Sequence, residues 1–109
     1  MRLRAEFWVK AYIRRCAVSG ASAVVVRHGD DDAGQVYVVV NRGRDIGCVL
    51  LAPSRDYDTG KTVWRTPLGA DPVPEPEADA YIEKERGIDP DLWVLEIESR
   101  AGWHPFDEM

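Results

Sequence analysis

The sequence predicts an α+β fold: a mainly antiparallel sheet of about five strands packed by two helices, in the order helix, four strands, helix, strand. Two segments, near residues 4–18 and 75–86, space their apolar residues at the period of an amphipathic helix. The segments between and after them are short runs of β-branched and aromatic residues, bounded by Gly, Asp and Pro. At 109 residues the chain falls within the usual range of one domain, so residues 1–109 are expected to share a core, with a tail over about 99–109. Hydrophobic residues at 45% and charged residues at 30% support such a core and exclude the apolar-poor profile of disorder.

From Arg4 to Val18 the first helix places Ala5, Trp8, Val9, Tyr12, Ile13 and Cys16 in one arc of about 140°, with Lys10, Arg14 and Arg15 on the other side. Glu6 near the start and Arg14 and Arg15 near the end suit the helix dipole, and Ser19-Gly20 supplies a stop. Phe7 and Ala11 break the pattern by lying on the basic side, which makes Phe7 either a second packing contact or an exposed anchor.

Ala21 to His28 and Gln35 to Asn41 read as antiparallel strands joined by the turn-rich Gly29 to Gly34. Val36 to Val40 has no polar alternate and is expected to be a central strand covered on both faces. Arg42 to Asp45 turns the chain into Ile46 to Ala52, Pro53 to Gly60 forms a loop, and Lys61 to Thr66 alternates as an edge strand does. Pro67, Pro72, Pro74 and Pro76 keep the next stretch extended. Glu75 to Arg86 forms the second helix, with Ala78, Tyr81, Ile82 and the stem of Glu85 on one face and Gly87 as a left-handed cap. In the last strand, Leu92 to Glu98, residues Trp93, Leu95 and Ile97 point one way and Val94, Glu96 and Glu98 the other. It is expected to insert at an edge or in parallel, followed by a tail anchored by Trp103 and Phe106.

Several chemistries lack their signatures. The glycines follow neither a dinucleotide fingerprint nor a phosphate-binding loop, and His28 and His104 belong to no paired metal-ligand motif. Asp30, Asp31 and Asp32 lack the twelve-residue calcium spacing and read as a solvated turn. Cys16 and Cys48 are too few for a disulfide-stapled secreted fold and read as buried thiols in a reducing compartment. Cys16 also sits on the apolar arc at a helix C-terminus, which works against a thiolate. No catalytic, cofactor-binding or metal-ligating residue is assigned. The start of the chain lacks a signal-peptide pattern, and no apolar run is long enough to span a membrane, so the expected location is the cytoplasm.

What stands out is charge placement. Residues 1–44 hold eight Arg or Lys against four Asp or Glu, and residues 45–109 hold six against fifteen. Such a dipolar molecule can pair head to tail with itself or set its basic part on an acidic partner. Nucleic acid is disfavoured by the net charge of -5 and by the lack of a nucleic-acid-binding module. The preferred function is a protein-interaction or self-association module, its partner a second copy or another cytoplasmic protein. Its contact set is Phe7 as apolar anchor with Lys10, Arg14 and Arg15 for charge, joined in space by Arg42 or Arg44 and with Arg2 and Arg4 nearby. The alternative is a small enzyme or ligand-binding domain for an anionic metabolite, with Arg14, Arg15 and His28, and Cys16 beside them, around a cleft.

Trp8 through Cys16, the Gly29-Asp30 turn with Ala33-Gly34, Val40-Asn41-Arg42, and the run from Pro72 through Glu77 to Tyr81 and on from Asp89 to Val94 resemble a small family of uncharacterised alphaproteobacterial proteins. The likeness covers nearly the whole chain. It implies a bacterial, cytoplasmic, single-domain protein and transfers no site residue.

Overall fold

The structure, a computed structural model, describes residues 5–32 and 34–105. Arg2, Arg4 and Phe106 lie outside those residues. The chain forms α1 (Ala5–Val18), β1 (Ser22–Arg27), β2 (Val36–Asn41), β3 (Cys48–Arg55), β4 (Thr62–Arg65), α2 (Glu75–Ile88) and β5 (Trp93–Glu98). The strands make one sheet in the order β1-β5-β2-β3-β4. β2 with β3, β3 with β4 and β1 with β5 are antiparallel, whereas β2 and β5 run parallel, so the sheet is mixed.

α1 ends where Ser19-Gly20 predicts. Gly20 takes a φ of 82°, its N–H donates to the Ala17 carbonyl at 3.1 Å, and the Ala21 N–H reaches back to Cys16 at 2.9 Å. This paired closure satisfies carbonyls that the helix end would leave orphaned.

β1 and β2 are not a hairpin, because β5 lies between them. The segment joining them instead crosses the start of β5. Asp30 donates its N–H to the Asp91 carbonyl at 2.9 Å, Trp93 donates its backbone N–H to Gln35 at 2.7 Å, and the Trp93 indole N–H reaches the Asp30 carbonyl at 2.8 Å. The physical reason lies in β5 itself. Trp93, Val94, Leu95 and Ile97 are all buried, so this strand needs cover on both faces and a neighbour on each side. β1, by contrast, forms an edge on which Val24, Val25 and Val26 remain exposed.

Strand alternation divides the core in two. Val36, Val38 and Val40 of β2 and Trp93, Leu95 and Ile97 of β5 face α1, meeting Ala5, Val9 and Cys16. Tyr37 and Val39 of β2, Cys48, Leu50 and Ala52 of β3, and Val94 of β5 face α2, meeting Ala78 and Ile82. The two helices therefore cover opposite faces of the sheet. Each fully sequestered Val, Leu or Ile contributes about 1.5–3 kcal/mol relative to exposure, and β2 supplies such residues to both layers.

Two local boundaries differ from the sequence expectation. β3 continues through Pro53 to Arg55, beyond the last β2 partner at Leu51, so the missing proline N–H breaks no bond to β2. β4 then pairs with that extension as the opposite edge of the sheet. α2 runs through Gly87 to Ile88, Gly87 is not left-handed, and the Asp89 N–H closes the helix on the Glu85 carbonyl at 2.8 Å. The proline-rich approach to α2 is pinned to the sheet by reciprocal bonds between Val73 and Cys48, at 2.7 and 2.8 Å.

Candidate functional site

Helical spacing sets Phe7, Ala11, Arg14 and Val18 in one line on the side of α1 that turns away from the sheet. Phe7 is 62% exposed and Val18 is 83% exposed. Among the described residues Arg14 forms no hydrogen bond or ion pair. Lys10 flanks the line and donates to Glu6 at 2.8 Å. That bond and the carboxylate charge raise the Lys10 pKa. Arg15 lies on the other flank against the Tyr12 hydroxyl; burial raises the Tyr12 pKa, and Arg15 opposes the rise. The four predicted contact residues are thus exposed on one helix, with Phe7 and Arg14 on its outermost line and Lys10 and Arg15 at the margins.

Beneath Arg15 the helix is committed to packing. Trp8 stacks obliquely on Tyr12 at 4.3 Å and on Trp64 of β4 at 5.7 Å, so these aromatics hold α1 on the sheet and take no part in the outward face.

Arg42 and Arg44 occupy a separate place. They line a cleft of about 370 Å³ at the carboxyl ends of the parallel strands β2 and β5, and no α1 residue takes part in it. Arg100 is also there, but it donates to Asp45 at 3.0 Å, and those hydrogen bonds hold the Asp45 carboxyl below its ordinary range. Arg42 commits its Nε to the Arg100 carbonyl at 2.9 Å. Glu75 and Glu98 also line it, so cations and anions share the cleft. Behind it, burial pushes the Glu96 carboxyl up, and the charges of Glu75 and Glu98 push it further.

The other grouping, Arg14, Arg15, His28 and Cys16, does not converge on a cleft. His28 stacks on Trp93 at 4.1 Å and contacts Asp31 at 2.6 Å, and the Asp31 carbonyl accepts the Glu6 N–H at the start of α1. Cys16 lies ten residues further along the helix from Glu6, about 15 Å at 1.5 Å per residue. Cys16 is fully buried in the α1 layer, where burial raises its pKa despite Arg15. Arg14 faces outward. In the 29–34 loop, Asp30 accepts from the Asp32 N–H, and among the described residues no group of three or more His, Cys, Asp or Glu is placed to hold a metal ion.

Cys48 is buried in the α2 layer. Burial, with added repulsion from Glu75, Glu96 and Asp79, pushes its thiol from the ordinary 9.0 up to about 11. Both cysteines are therefore protonated at neutral pH, the opposite of an activated nucleophile. A consequence for stability follows from the direction of the Cys48 shift. Between its ordinary and its folded pKa the unfolded chain has already released the proton that the folded chain retains, so stability falls as pH rises above about 9. Tyr37, pushed up to about 12 mainly by burial, acts in the same direction at still higher pH. The urea midpoint is expected to be lower at pH 10 than at pH 8, with a smaller drop in Cys48→Ala. Equal drops in the two proteins would remove Cys48 as the cause.

The wheel anticipated which α1 residues face outward, but it gave no sign that Val18 stays uncovered or that a mixed-charge cleft forms. The cleft joins residues 41–44 to residues 98–100 through β2–β5 pairing, which no local signal encodes.

Fold and surface together define a small α+β protein with a helix on each face of a mixed sheet, in which no helix of the described residues is long and apolar enough to cross a membrane. A family model described as "Protein of unknown function (DUF1491)" matches residues 3–107, and the chain belongs to that family. A crystal structure of a DUF1491 family protein from Caulobacter crescentus CB15 is 39% identical, with a TM-score of 0.81, covering 95% of this chain and 92% of that one. An NMR structure of a DUF1491 family protein from the same organism is 41% identical over the same shares, again with a TM-score of 0.81. The solution structure of protein Atu0922 from A. tumefaciens is 32% identical, with a TM-score of 0.74, covering 91% of this chain and 87% of that one. Both organisms are alphaproteobacteria, in keeping with the resemblance read from the sequence. Comparison with curated proteins finds no match.

Proposed function

We propose that this chain is a cytoplasmic protein-interaction module that docks its partner with the outward face of α1. Phe7 is the apolar anchor, and Lys10, Arg14 and Arg15 supply charge complementarity. The observation that carries this reading is the exposure of Phe7, at 62%, on the same line as an exposed Arg14 that has no hydrogen bond or ion pair among the described residues. α1 already has a full apolar arc against the sheet, and among the described residues Phe7 takes no part in the core. Burying that ring against a partner stabilises the contact by about 1.5–3 kcal/mol, and aromatic and Arg side chains are the usual anchors of such contacts. Cytoplasmic residence is part of the proposal, supported by two buried, unpaired thiols.

The test is the double variant Phe7→Ser with Arg14→Ala. Because both side chains face water, stability is expected to stay within about 0.5 kcal/mol of the parent. Binding is expected to be lost, read as a change in solution mass or as the disappearance of proteins that copurify with the parent chain. If both the mass and the copurifying set were unchanged, α1 would not be the docking face.

A further inference from the structure

The outward line of α1 has a counterpart on the opposite side of the molecule. On α2, Pro76, Ala80, Glu83 and Gly87 repeat the spacing of Phe7, Ala11, Arg14 and Val18, and all are exposed. The line ends beside Ile88, an apolar side chain 72% exposed. Bulky Phe7 and Val18 on the first helix are thus matched by small Ala80 and Gly87 and an apolar end on the second, a fit of the kind that close helix packing requires.

Charge matches as well. Arg14 stands in the middle of one line and Glu83 in the middle of the other. Among the described residues Glu83 is held only by Arg86 of its own helix, at 3.3 Å, with both side chains exposed. Such a surface pair is weak and readily exchanged. The pairing follows the larger asymmetry, a basic excess in residues 1–44 and an acidic excess in residues 45–109.

Gly87 adds an independent sign. It lies in the last turn of α2 with no left-handed backbone, and beyond its chain neighbours and its own helix backbone no atom of the described residues lies within 4 Å of the point a Cβ would occupy. Glycine carries a cost in a helix relative to alanine, and no contact among the described residues demands it there. The close approach of another helix would.

We propose that the partner of α1 is a second copy of this chain, docked through the outward face of its α2, with Arg14 of one copy against Glu83 of the other. This rests on the reading of α1 as the docking face and adds the identity of what it meets. The two faces are unlike and lie on opposite sides of the sheet, so the contact is head to tail. Each copy keeps one face free, and association continues with concentration until a ring closes or a chain grows.

Sedimentation of the full chain over a wide concentration range tests this. The weight-average mass is expected to rise with concentration. Arg14→Glu alone and Glu83→Arg alone each set like charges together and are expected to weaken association by about tenfold or more. An equimolar mixture of the two variants is expected to recover association above that of either variant alone, because contacts between unlike copies can again join opposite charges. A parent chain that stays monomeric throughout, or a mixture no better than its components, would overturn the proposal. If Arg14→Glu weakened binding and Glu83→Arg did not, the α2 assignment would fall while α1 stood. If the Phe7 and Arg14 double variant altered nothing, both would fall together.

Discussion

Replacing Gly29 with alanine is expected to destabilise the protein by about 3 kcal/mol, close to the upper range for overpacking a tightly closed site. The new Cβ would lie 2.6 Å from both the Leu92 carbonyl carbon and Trp93 Cδ1, and nearer still to the Asp91 oxygen. Two of these three atoms belong to backbone. The loop cannot simply retreat, because the neighbouring Asp30 donates to Asp91 and accepts from the Trp93 indole. Withdrawal would strain or break both bonds, each worth about 1 kcal/mol. Urea denaturation of Gly29→Ala against the parent measures the effect. A loss below about 0.5 kcal/mol, the range of an ordinary surface change, would mean that the loop does not close over β5 in this way.

That loop also marks the limit of what could be read from the chain alone. Local patterns located both helices, the doubly covered β2 and the edge strand β4, because helix period, unbroken β-branched runs and proline placement act over a few residues. The partner of β1 was not legible. A turn-rich segment between two strands suits a hairpin and a crossing equally well, and what separates them is the contact of Gly29 and Gly34 with Asp91 and Trp93, about sixty residues away in sequence. Gly87 failed as a cap for a related reason. The Asp89 N–H bonds back to Glu85 and carries the helix past it, leaving the glycine on an open face. The outward residues of α1 were visible on a helical wheel, since Phe7 falls opposite the apolar arc. Whether an outward residue is also uncovered depends on the rest of the fold, so neither the exposure of Val18 nor the cleft at Arg42 and Arg44 is encoded in a local pattern.

Trp93→Ala is expected to cost about 4 kcal/mol, within the range for removing a buried Trp. Trp93 is 2% exposed, opens β5 opposite Val36 of β2, and packs in the α1 layer while its ring meets His28. Trp93→Phe keeps most of the apolar area and loses the indole bond to Asp30, so it is expected to cost about 1 kcal/mol. The alanine substitutions at Gly29 and Trp93 should also be coupled. Once Trp93→Ala has removed the indole, the Cβ introduced by Gly29→Ala no longer meets the ring, and the space left behind lets the loop shift. The double variant is therefore expected to be less destabilised than the sum of the singles, by about 0.5 kcal/mol or more, read from urea midpoints in a double-mutant cycle. Strict additivity would place the whole penalty at Gly29 on the Asp91 and Leu92 backbone, and the indole would then be a bystander to the crossing that separates β1 from β2.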